Sequence, residues 1–257
     1  MKIYLLSKRL VGMIIIGILI VIGIFIFLAG GIKTGFPSIS TVFSPQRRLP
    51  IYSVETNEKK ISISFDAAWG DEFTDDILDI LDEYNVKTTF FLVGFWVDKY
   101  PDMVSKIHER GHEIGNHSST HPHMSQLSKD QIIKEIELTG EKIENITSVK
   151  PILFRPPFGD YNNLFIETAE ELGYYVIQWD VDSLDWKEMG VSPVVDRVTR
   201  NVKKGSIVLF HNNAKYVSEY LGPVLSKLQE QGYGIVPISE LIIKDNYSID
   251  PSGRQYK

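Results

Sequence analysis

The residues of this sequence that could do acid–base or metal chemistry share one kind of position, at or just after the end of a short apolar segment. In chain order these candidates are Asp66, His117, His121, Arg155, Asp182, Asp185 and His211. A carboxylate can accept a proton, an imidazole can give or take one near neutral pH, and both can bind metal ions. Because the chain contains no cysteine, disulfides, thiolate zinc clusters and cysteine nucleophiles are excluded.

Each candidate taken alone also has an ordinary structural explanation. Asp66 could cap a helix, and the segment Arg-Pro-Pro-Phe-Gly at 155–159 could be a rigid turn. His117 and His121 are four residues apart, and such a pair is only a weak indication of a metal site. His211 could be a buried histidine at the end of a strand. What favours a function is that all of them occupy equivalent positions in the predicted elements.

The apolar segments before these residues have the length and composition of β-strands. The strand candidates are Ile61–Phe65, Thr89–Val93, His112–Asn116, Ile152–Arg155, Tyr175–Trp179, Ile207–Phe210 and Gly234–Ile238. Helical spacing of apolar residues is seen in Phe73, Ile77, Leu81 and Tyr84, in Ile132, Ile136 and Ile143, in Val195, Val198 and Val202, and in Leu221, Val224, Leu225 and Leu228. Ser128 and Gln131 form the pattern of a capping box. Four glycines follow helical segments as C-terminal caps: Gly111, Gly173, Gly205 and Gly232.

This alternation of strands and helices predicts an α/β fold with a parallel sheet, either closed as a barrel or open and doubly wound. No glycine-rich phosphate loop follows the first strand, which disfavours a nucleotide-binding open sheet. We therefore predict a distorted (β/α) barrel of about seven parallel strands. Because the carboxyl ends of barrel strands converge on one rim, we expect the candidate residues to lie around one cavity at that rim.

The amino-terminal segment has the composition of a transmembrane helix. Residues 10–32 contain no charged residue and would form a helix roughly 34 Å long, enough to cross a bilayer core. Three bases lie within residues 1–9 and only Lys33 lies close behind the segment. This asymmetry predicts a single-pass protein of the cell membrane with a cytoplasmic amino terminus and an extracytoplasmic remainder. A cleaved signal peptide is the alternative, although the apolar run is longer than a usual signal core.

The rest of the chain is predicted to consist of a linker, a domain and a polar tail. Residues 33–50 mix Gly, Pro, Ser and Thr and read as a tether. Residues 51–243 contain the predicted strands and helices, and residues 244–257 are polar and read as a loose tail. The net charge of −6 has the wrong sign for bulk attraction to nucleic acid. No feature of the sequence indicates an oligomeric state.

Five motifs occur in order along the chain. They are Ser64-Phe65-Asp66, His117-Ser118-x-x-His121, Arg155-Pro156-Pro157-Phe158-Gly159, Asp182-x-x-Asp185-Trp186 and Leu209-Phe210-His211. Together they resemble the polysaccharide deacetylases of the NodB-homology (carbohydrate esterase 4) family, over roughly Ile51 to Ile243. The segment 61–70 and the short anchor look like the sporulation-associated PdaB-type branch. The resemblance implies a distorted barrel that removes N-acetyl groups from cell-wall, peptidoglycan-like amino sugars, usually with zinc or a related divalent ion.

The resemblance also implies a role for each candidate. The implied metal ligands are His117 and His121. Asp66 would take a proton from water as general base, and Arg155 would keep its carboxylate ionised. His211 would protonate the departing amine, and Asp185 could keep its imidazole charged. The residues implied to bind substrate are Phe158, through its backbone N–H to the developing oxyanion, and Trp186 and Leu209, through a groove for the acetyl methyl group.

One position departs from the family pattern. The family commonly has two adjacent aspartates in the first motif, the second being the third metal ligand, and here that position is Ala67. Either Asp71, Glu72 or extra water completes the metal shell, or Asp66 itself binds the ion, or the site is metal-poor and the protein slow or inactive. The retained base, arginine and acid favour an active hydrolase. A glycan-binding homologue without turnover and a hydrolase of non-glycan C–N bonds are the alternatives.

Overall fold

The structure, a computed structural model, describes residues 8–29 and 47–257, which belong to two separate units. In the first unit the described residues form helix α1 (Lys8–Ala29). Positions 30–32 of the predicted transmembrane segment and positions 33–46 of the predicted linker lie outside the described residues. Among the described residues, no helix has the length and apolar character needed to cross a membrane. The second unit runs from Arg47 to Lys257.

Strands and helices alternate through the second unit. Its strands are β1 (Ser53–Val54), β2 (Lys60–Ala67), β3 (Thr89–Leu92), β4 (Glu113–Asn116), β5 (Leu153–Phe154), β6 (Tyr175–Val176), β7 (Val181–Asp182), β8 (Ile207–His211), β9 (Gly234–Ile235), β10 (Ser248–Ile249) and β11 (Arg254–Tyr256). Its helices are α2 (Thr74–Glu83), α3 (Gly94–Lys99), α4 (Pro101–Glu109), α5 (Lys129–Thr147), α6 (Asn163–Glu171), α7 (Val191–Asn201), α8 (Val217–Glu230) and α9 (Ile238–Leu241). Each strand candidate of the sequence overlaps one of these strands. The capping box of Ser128 and Gln131 forms at the start of α5.

Seven strands form a curled parallel sheet in the order β6-β5-β4-β3-β2-β8-β7, and β9 pairs with the start of β2. The two edge strands, β6 and β7, are separated in the chain only by residues 177–180. Within the part of the chain that the structure describes, they do not pair with each other. The α/β fold with about seven parallel strands is therefore confirmed, and the barrel is a curled half-barrel rather than a closed one.

The alternation of side chains along β2 separates the core from the site. Its odd-numbered residues, from Ile61 to Ala67, are fully buried in the main hydrophobic core together with residues of α2, α7 and α8. Its even-numbered residues point to the opposite face, as the two-residue period of a strand requires. On that face the Ser64 hydroxyl donates a hydrogen bond to the carbonyl oxygen of Val208, and Asp66 stands near the carboxyl end of the strand. The fold thus presents Asp66 on the inner face of the half-barrel.

The prediction of a loose tail over residues 244–257 is wrong. β10 and β11 pair antiparallel with each other, and β11 pairs in parallel with β1, so the end of the chain forms a second, three-stranded sheet. Gln255 is fully buried, and its side-chain amide both accepts from the N–H of Ile243 and donates to its carbonyl oxygen, each at 2.7 Å. A polar side chain that satisfies backbone groups in this way can lie inside the protein, which polar composition alone does not indicate.

Candidate functional site

A cavity of about 560 Å³ opens at the carboxyl ends of the central strands. It is lined by Asp66, Ala68, Trp69, His117, His121, Phe158, Trp179, Asp182, Trp186, Leu209, His211 and Asn213. Seven of the nine residues proposed from the sequence as catalytic, metal-binding or substrate-binding are among them. The other two, Arg155 and Asp185, lie behind the lining and contact it through Asp66 and His211. The structure therefore brings all nine together, as expected of residues that end parallel strands.

Asp66 and Arg155 form a buried ion pair at the base of the cavity. Nη1 of Arg155 lies 2.7 Å from Oδ1 of Asp66, and the two residues are 0% and 7% exposed. The guanidinium also packs 4.1 Å from the ring centroid of Phe91. Burial by itself raises the pKa of Asp66, but the guanidinium of Arg155, with smaller contributions from His117 and His211, outweighs burial and holds that pKa below its usual value. Asp66 is thus an ionised carboxylate that can accept a proton.

The imidazole of His117 is oriented by the backbone beside this ion pair. Its Nδ1 lies 2.6 Å from the carbonyl oxygen of Arg155, and its Nε2 lies 3.5 Å from Oδ2 of Asp66. Since a carbonyl oxygen only accepts, Nδ1 carries the proton and Nε2 keeps its lone pair. The ring of His121 is close, with 5.1 Å between the two centroids. Burial lowers the pKa of both rings, that of His121 to about 4, so both are neutral donors of a lone pair near pH 7.

The loop between the two histidines is held in place by α5. The carboxylate of Glu135 accepts hydrogen bonds from the backbone N–H groups of Ser119 and Thr120 and from the Thr120 hydroxyl, all at 2.8 Å. Ser118 and His121 adopt positive φ angles of 69° and 59°, a region that non-glycine residues occupy only at a cost. The N–H of His121 donates to Oγ of Ser118 at 3.1 Å. These contacts fix a strained loop that sequence spacing alone does not reveal.

The donors at this site fit two ligands of a divalent metal ion but not a complete coordination shell. Two neutral imidazoles with free lone pairs are suitable nitrogen ligands for zinc. The third, anionic position of the family pattern is Ala67, which is fully buried and offers no donor. In the described ranges 8–29 and 47–257, no three or more His, Cys, Asp or Glu side chains form a group that could hold a metal ion. Neither Asp71 nor Glu72 therefore completes the shell there.

The second titratable pair of the site is His211 with Asp185. Nδ1 of His211 lies 2.7 Å from Oδ1 of Asp185, and the backbone N–H of His211 donates to Oδ2 at 2.8 Å. Burial by itself lowers the pKa of His211, but the hydrogen bond and charge of Asp185, together with the charge of Asp66, outweigh burial and raise that pKa above its ordinary value. The imidazolium form is favoured, and Nε2 remains as the proton donor on the side away from Asp185.

Aromatic side chains surround the mouth of the cavity. Trp69, Phe158 and Trp186 line it and are 57%, 61% and 56% exposed, whereas Leu209 is buried deeper at 3%. Phe158 has left-handed backbone angles, with φ at 59° and ψ at 8°. No hydrogen bond found among the described residues uses its N–H. The mouth therefore combines apolar faces with a free backbone donor.

Sequence reasoning missed several residues of this site. Trp69 and Trp179 line the cavity, but tryptophans are more often core residues, so their residue type alone does not indicate a site. Tyr220 donates its hydroxyl to Oδ2 of Asp185 at 2.9 Å. It immediately precedes the apolar helical face that begins at Leu221, so its position reads as core and carries no signal of a polar contact.

Comparisons with known proteins agree with this geometry. The model of the family described as polysaccharide deacetylase matches residues 53–177. A peptidoglycan-N-acetylglucosamine deacetylase of Bacillus cereus is 38% identical over 196 residues, which cover 74% of this chain and 92% of that protein. The peptidoglycan-N-acetylmuramic acid deacetylase PdaC of Bacillus subtilis is 35% identical over 189 residues, which cover 74% of this chain but 40% of that longer protein.

Solved structures similar to this chain include both an enzyme and an inactive homologue. The peptidoglycan N-acetylglucosamine deacetylase Bc1960 matches with a TM-score of 0.73 at 30% identity, covering 75% of this chain and 92% of that chain. BA3943 of Bacillus anthracis, described as a CE4 family pseudoenzyme, matches with a TM-score of 0.73 at 35% identity, covering 81% of this chain and 73% of that chain. A mutant of BA3943 described as having restored enzymatic activity matches with a TM-score of 0.73 at 38% identity, covering 76% and 71% of the two chains.

Proposed function

Because this chain belongs to the polysaccharide deacetylase (CE4) family of hydrolases, we propose that it removes N-acetyl groups from amino sugars of peptidoglycan. The observation that carries this proposal is that an ionised carboxylate, Asp66, and an imidazole with a raised pKa, His211, line one cavity. Hydrolysis of an amide needs a base to take a proton from water and an acid to protonate the leaving amine. Asp66 can act as this base and His211 as this acid.

The chemistry of the remaining residues follows from their contacts. Arg155 keeps Asp66 ionised and fixes its oxygen atoms, so the carboxylate can accept the proton of the attacking water. Asp185 holds His211 protonated, so that its Nε2 can give a proton to the amine as the C–N bond breaks. The N–H of Phe158 donates to the carbonyl oxygen as negative charge develops on it.

The exposed aromatic rings at the mouth suit a sugar substrate. Pyranose rings present apolar C–H faces, and Trp69 and Trp186 are exposed flat surfaces on which such faces can pack. Leu209 lies deeper in the same cavity and would contact the acetyl methyl group. This arrangement would place the acetamide between Asp66 and His211.

We include a divalent metal ion, zinc, in the proposal, with His117 and His121 as its protein ligands. When bound there, the ion would supply Lewis acidity to the acetyl carbonyl. Because the described residues supply two protein donors where the family pattern has three, we expect weaker metal binding than in relatives with the full pattern. The same gap at Ala67, together with the pseudoenzyme relative, supports the second candidate function, a glycan-binding protein without turnover.

Location at the outer face of the cell membrane and a role in sporulation are further parts of the proposal. The absence of charged residues from positions 10–32 and the bases before them support a membrane anchor with the catalytic unit outside the cytoplasm. The resemblance to the PdaB-type branch supports the sporulation role. Membrane pellets from cells that express the chain test the anchor. Release by detergent but not by salt would support it, whereas a chain that stays in the soluble fraction would contradict it.

Acetate release from N-acetylglucosamine oligomers and from peptidoglycan, with zinc, cobalt or no added metal, tests the activity. We expect His211→Ala to lower kcat by about 10² to 10⁴, because a positioned acid contributes a factor of that size. His108→Ala, on α4 and outside the cavity lining, is the matched control and should behave as the wild type. Tight binding of glycan without acetate under any metal condition would favour the second candidate function and reject the deacetylase.

A further inference from the structure

Asp185 is a buried carboxylate whose two oxygen atoms each accept two hydrogen bonds. The residue is 3% exposed. Oδ1 accepts from Nδ1 of His211 at 2.7 Å and from the N–H of Trp186 at 2.8 Å. Oδ2 accepts from the N–H of His211 at 2.8 Å and from the hydroxyl of Tyr220 at 2.9 Å. Three of these donors belong to Trp186 and His211, and the fourth, the Tyr220 hydroxyl, comes from helix α8 in the core.

The ring of Tyr220 cannot easily turn away from this contact. Tyr220 is 1% exposed and belongs to the main hydrophobic core. Its ring stacks on Phe210, with 5.7 Å between centroids and 19° between planes, and Phe210 stacks in turn on Phe65 of β2. Burial and the charge of Asp185 raise the pKa of the Tyr220 hydroxyl, so it stays protonated as a donor. Packing in the core therefore holds the Tyr220 hydroxyl within hydrogen-bonding distance of Oδ2 of Asp185.

We propose that Tyr220 is a positioning residue that orients His211 by holding the carboxylate of Asp185. Because the Tyr220 hydroxyl and the backbone N–H of His211 donate to Oδ2, the other oxygen, Oδ1, faces Nδ1 of the imidazole. The carboxylate then fixes the ring plane of His211 and the direction of Nε2. The catalytic meaning of this contact rests on the proposed function, in which Nε2 protonates the leaving amine.

The variant Tyr220→Phe removes only the hydroxyl and keeps the ring in the core. For the acetate-releasing protein we expect kcat to fall by about 10- to 100-fold with KM nearly unchanged, because a misdirected acid weakens only the transition state. Tyr233→Phe is the matched control. Tyr233 packs against the same core and its hydroxyl donates to the carbonyl oxygen of Val202 at 3.3 Å, away from the site. A fall in KM and kcat shared by both variants would overturn the proposal.

A second measurement does not depend on activity. In the full chain labelled at histidine, the proton resonance of Nδ1–H of His211, identified by its loss in His211→Ala, reports the bond to Asp185. We expect Tyr220→Phe to shift or broaden this resonance and Tyr233→Phe to leave it in place. In an Asp185→Asn background the further change Tyr220→Phe should have no effect, since the two residues act through one contact.

The two measurements separate this inference from the proposed function. A resonance that Tyr220→Phe does not move overturns the positioning role, whether or not acetate is released. A resonance that moves in Tyr220→Phe alone, in a wild type that releases no acetate from any substrate, supports the positioning of His211 and rejects the deacetylase function instead.

Discussion

Replacing Asp66 with Asn is expected to abolish most of the acetate release and, in the same variant, to destabilise the protein. The amide cannot take a proton from water, and loss of a positioned base costs about 10² to 10⁴ in kcat. The amide also leaves the guanidinium of Arg155, which is 0% exposed, without its counter-charge. Breaking a buried ion pair from one side costs about 3–5 kcal/mol of unfolding free energy. Acetate assays and urea unfolding measure the two effects on the same preparation.

A double variant separates the two effects of this substitution. In Asp66→Asn with Arg155→Met, no unpaired charge remains, so the unfolding free energy should recover in part while the activity should not. Asp71→Asn is the control, because Asp71 carries the same charge but does not line the cavity. Retention of more than a tenth of the wild-type activity in Asp66→Asn would show that another group is the base.

The same ion pair gives the protein a predictable response to acid. The pKa of Asp66 is lowered in the folded protein, so this group binds protons less readily there than in the unfolded chain. Its stabilising contribution is therefore complete above the unfolded-chain pKa of about 3.9 and is lost as the pH falls through the folded value. Asp66→Asn should lack this part of the acid dependence of unfolding.

The positions of Asp66, His117, Arg155 and His211 could be predicted from the sequence for a topological reason. Each ends or follows a strand candidate, and strands joined by helices run in parallel, so their carboxyl ends meet. The incomplete closure of the barrel could not be predicted, because closure depends on pairing between the edge strands β6 and β7. Strands of two or three residues have no measurable period of their own, and β1, β7, β10 and β11 were missed, whereas β5, β6 and β9 lie within longer apolar segments that the sequence did indicate.

Contacts that one side chain makes with another element could not be predicted from the sequence either. Glu135 lies on an amphipathic helix with other acids, and nothing in its spacing shows that it accepts from the loop of Ser119 and Thr120. Gln255 lies in a polar segment, yet it is buried. Such residues satisfy backbone groups that become buried only when the chain is folded, so their role exists only in the tertiary structure.

Replacing Ala67 with Asp is expected to make the protein depend on zinc. Ala67 is fully buried in the main core, so a carboxylate at this position without a metal ion would be a buried, unpaired charge that lowers the unfolding free energy. Because the family pattern has its metal-binding aspartate at this position, we expect added zinc to draw the carboxylate away from the core face of β2 and to bind it together with His117 and His121. At a zinc concentration 100 times the dissociation constant, binding to the folded state adds about 2.7 kcal/mol. Urea unfolding with zinc and with a chelator measures the difference.

The comparison with wild type decides whether position 67 is the missing ligand. We expect zinc to stabilise Ala67→Asp more than the wild type. At zinc concentrations well below the dissociation constant we also expect acetate release to rise about tenfold, since tighter binding by about 1.4 kcal/mol raises the zinc-bound fraction by that factor. The mutant of the related pseudoenzyme described as having restored activity shows that mutation can recover function in this fold. Ala68→Asp, on the neighbouring residue that lines the cavity, is the matched control. If zinc stabilised Ala68→Asp but not Ala67→Asp, the absent ligand would belong at position 68 instead of 67. The two positions can be told apart because successive side chains at a strand end point to opposite faces.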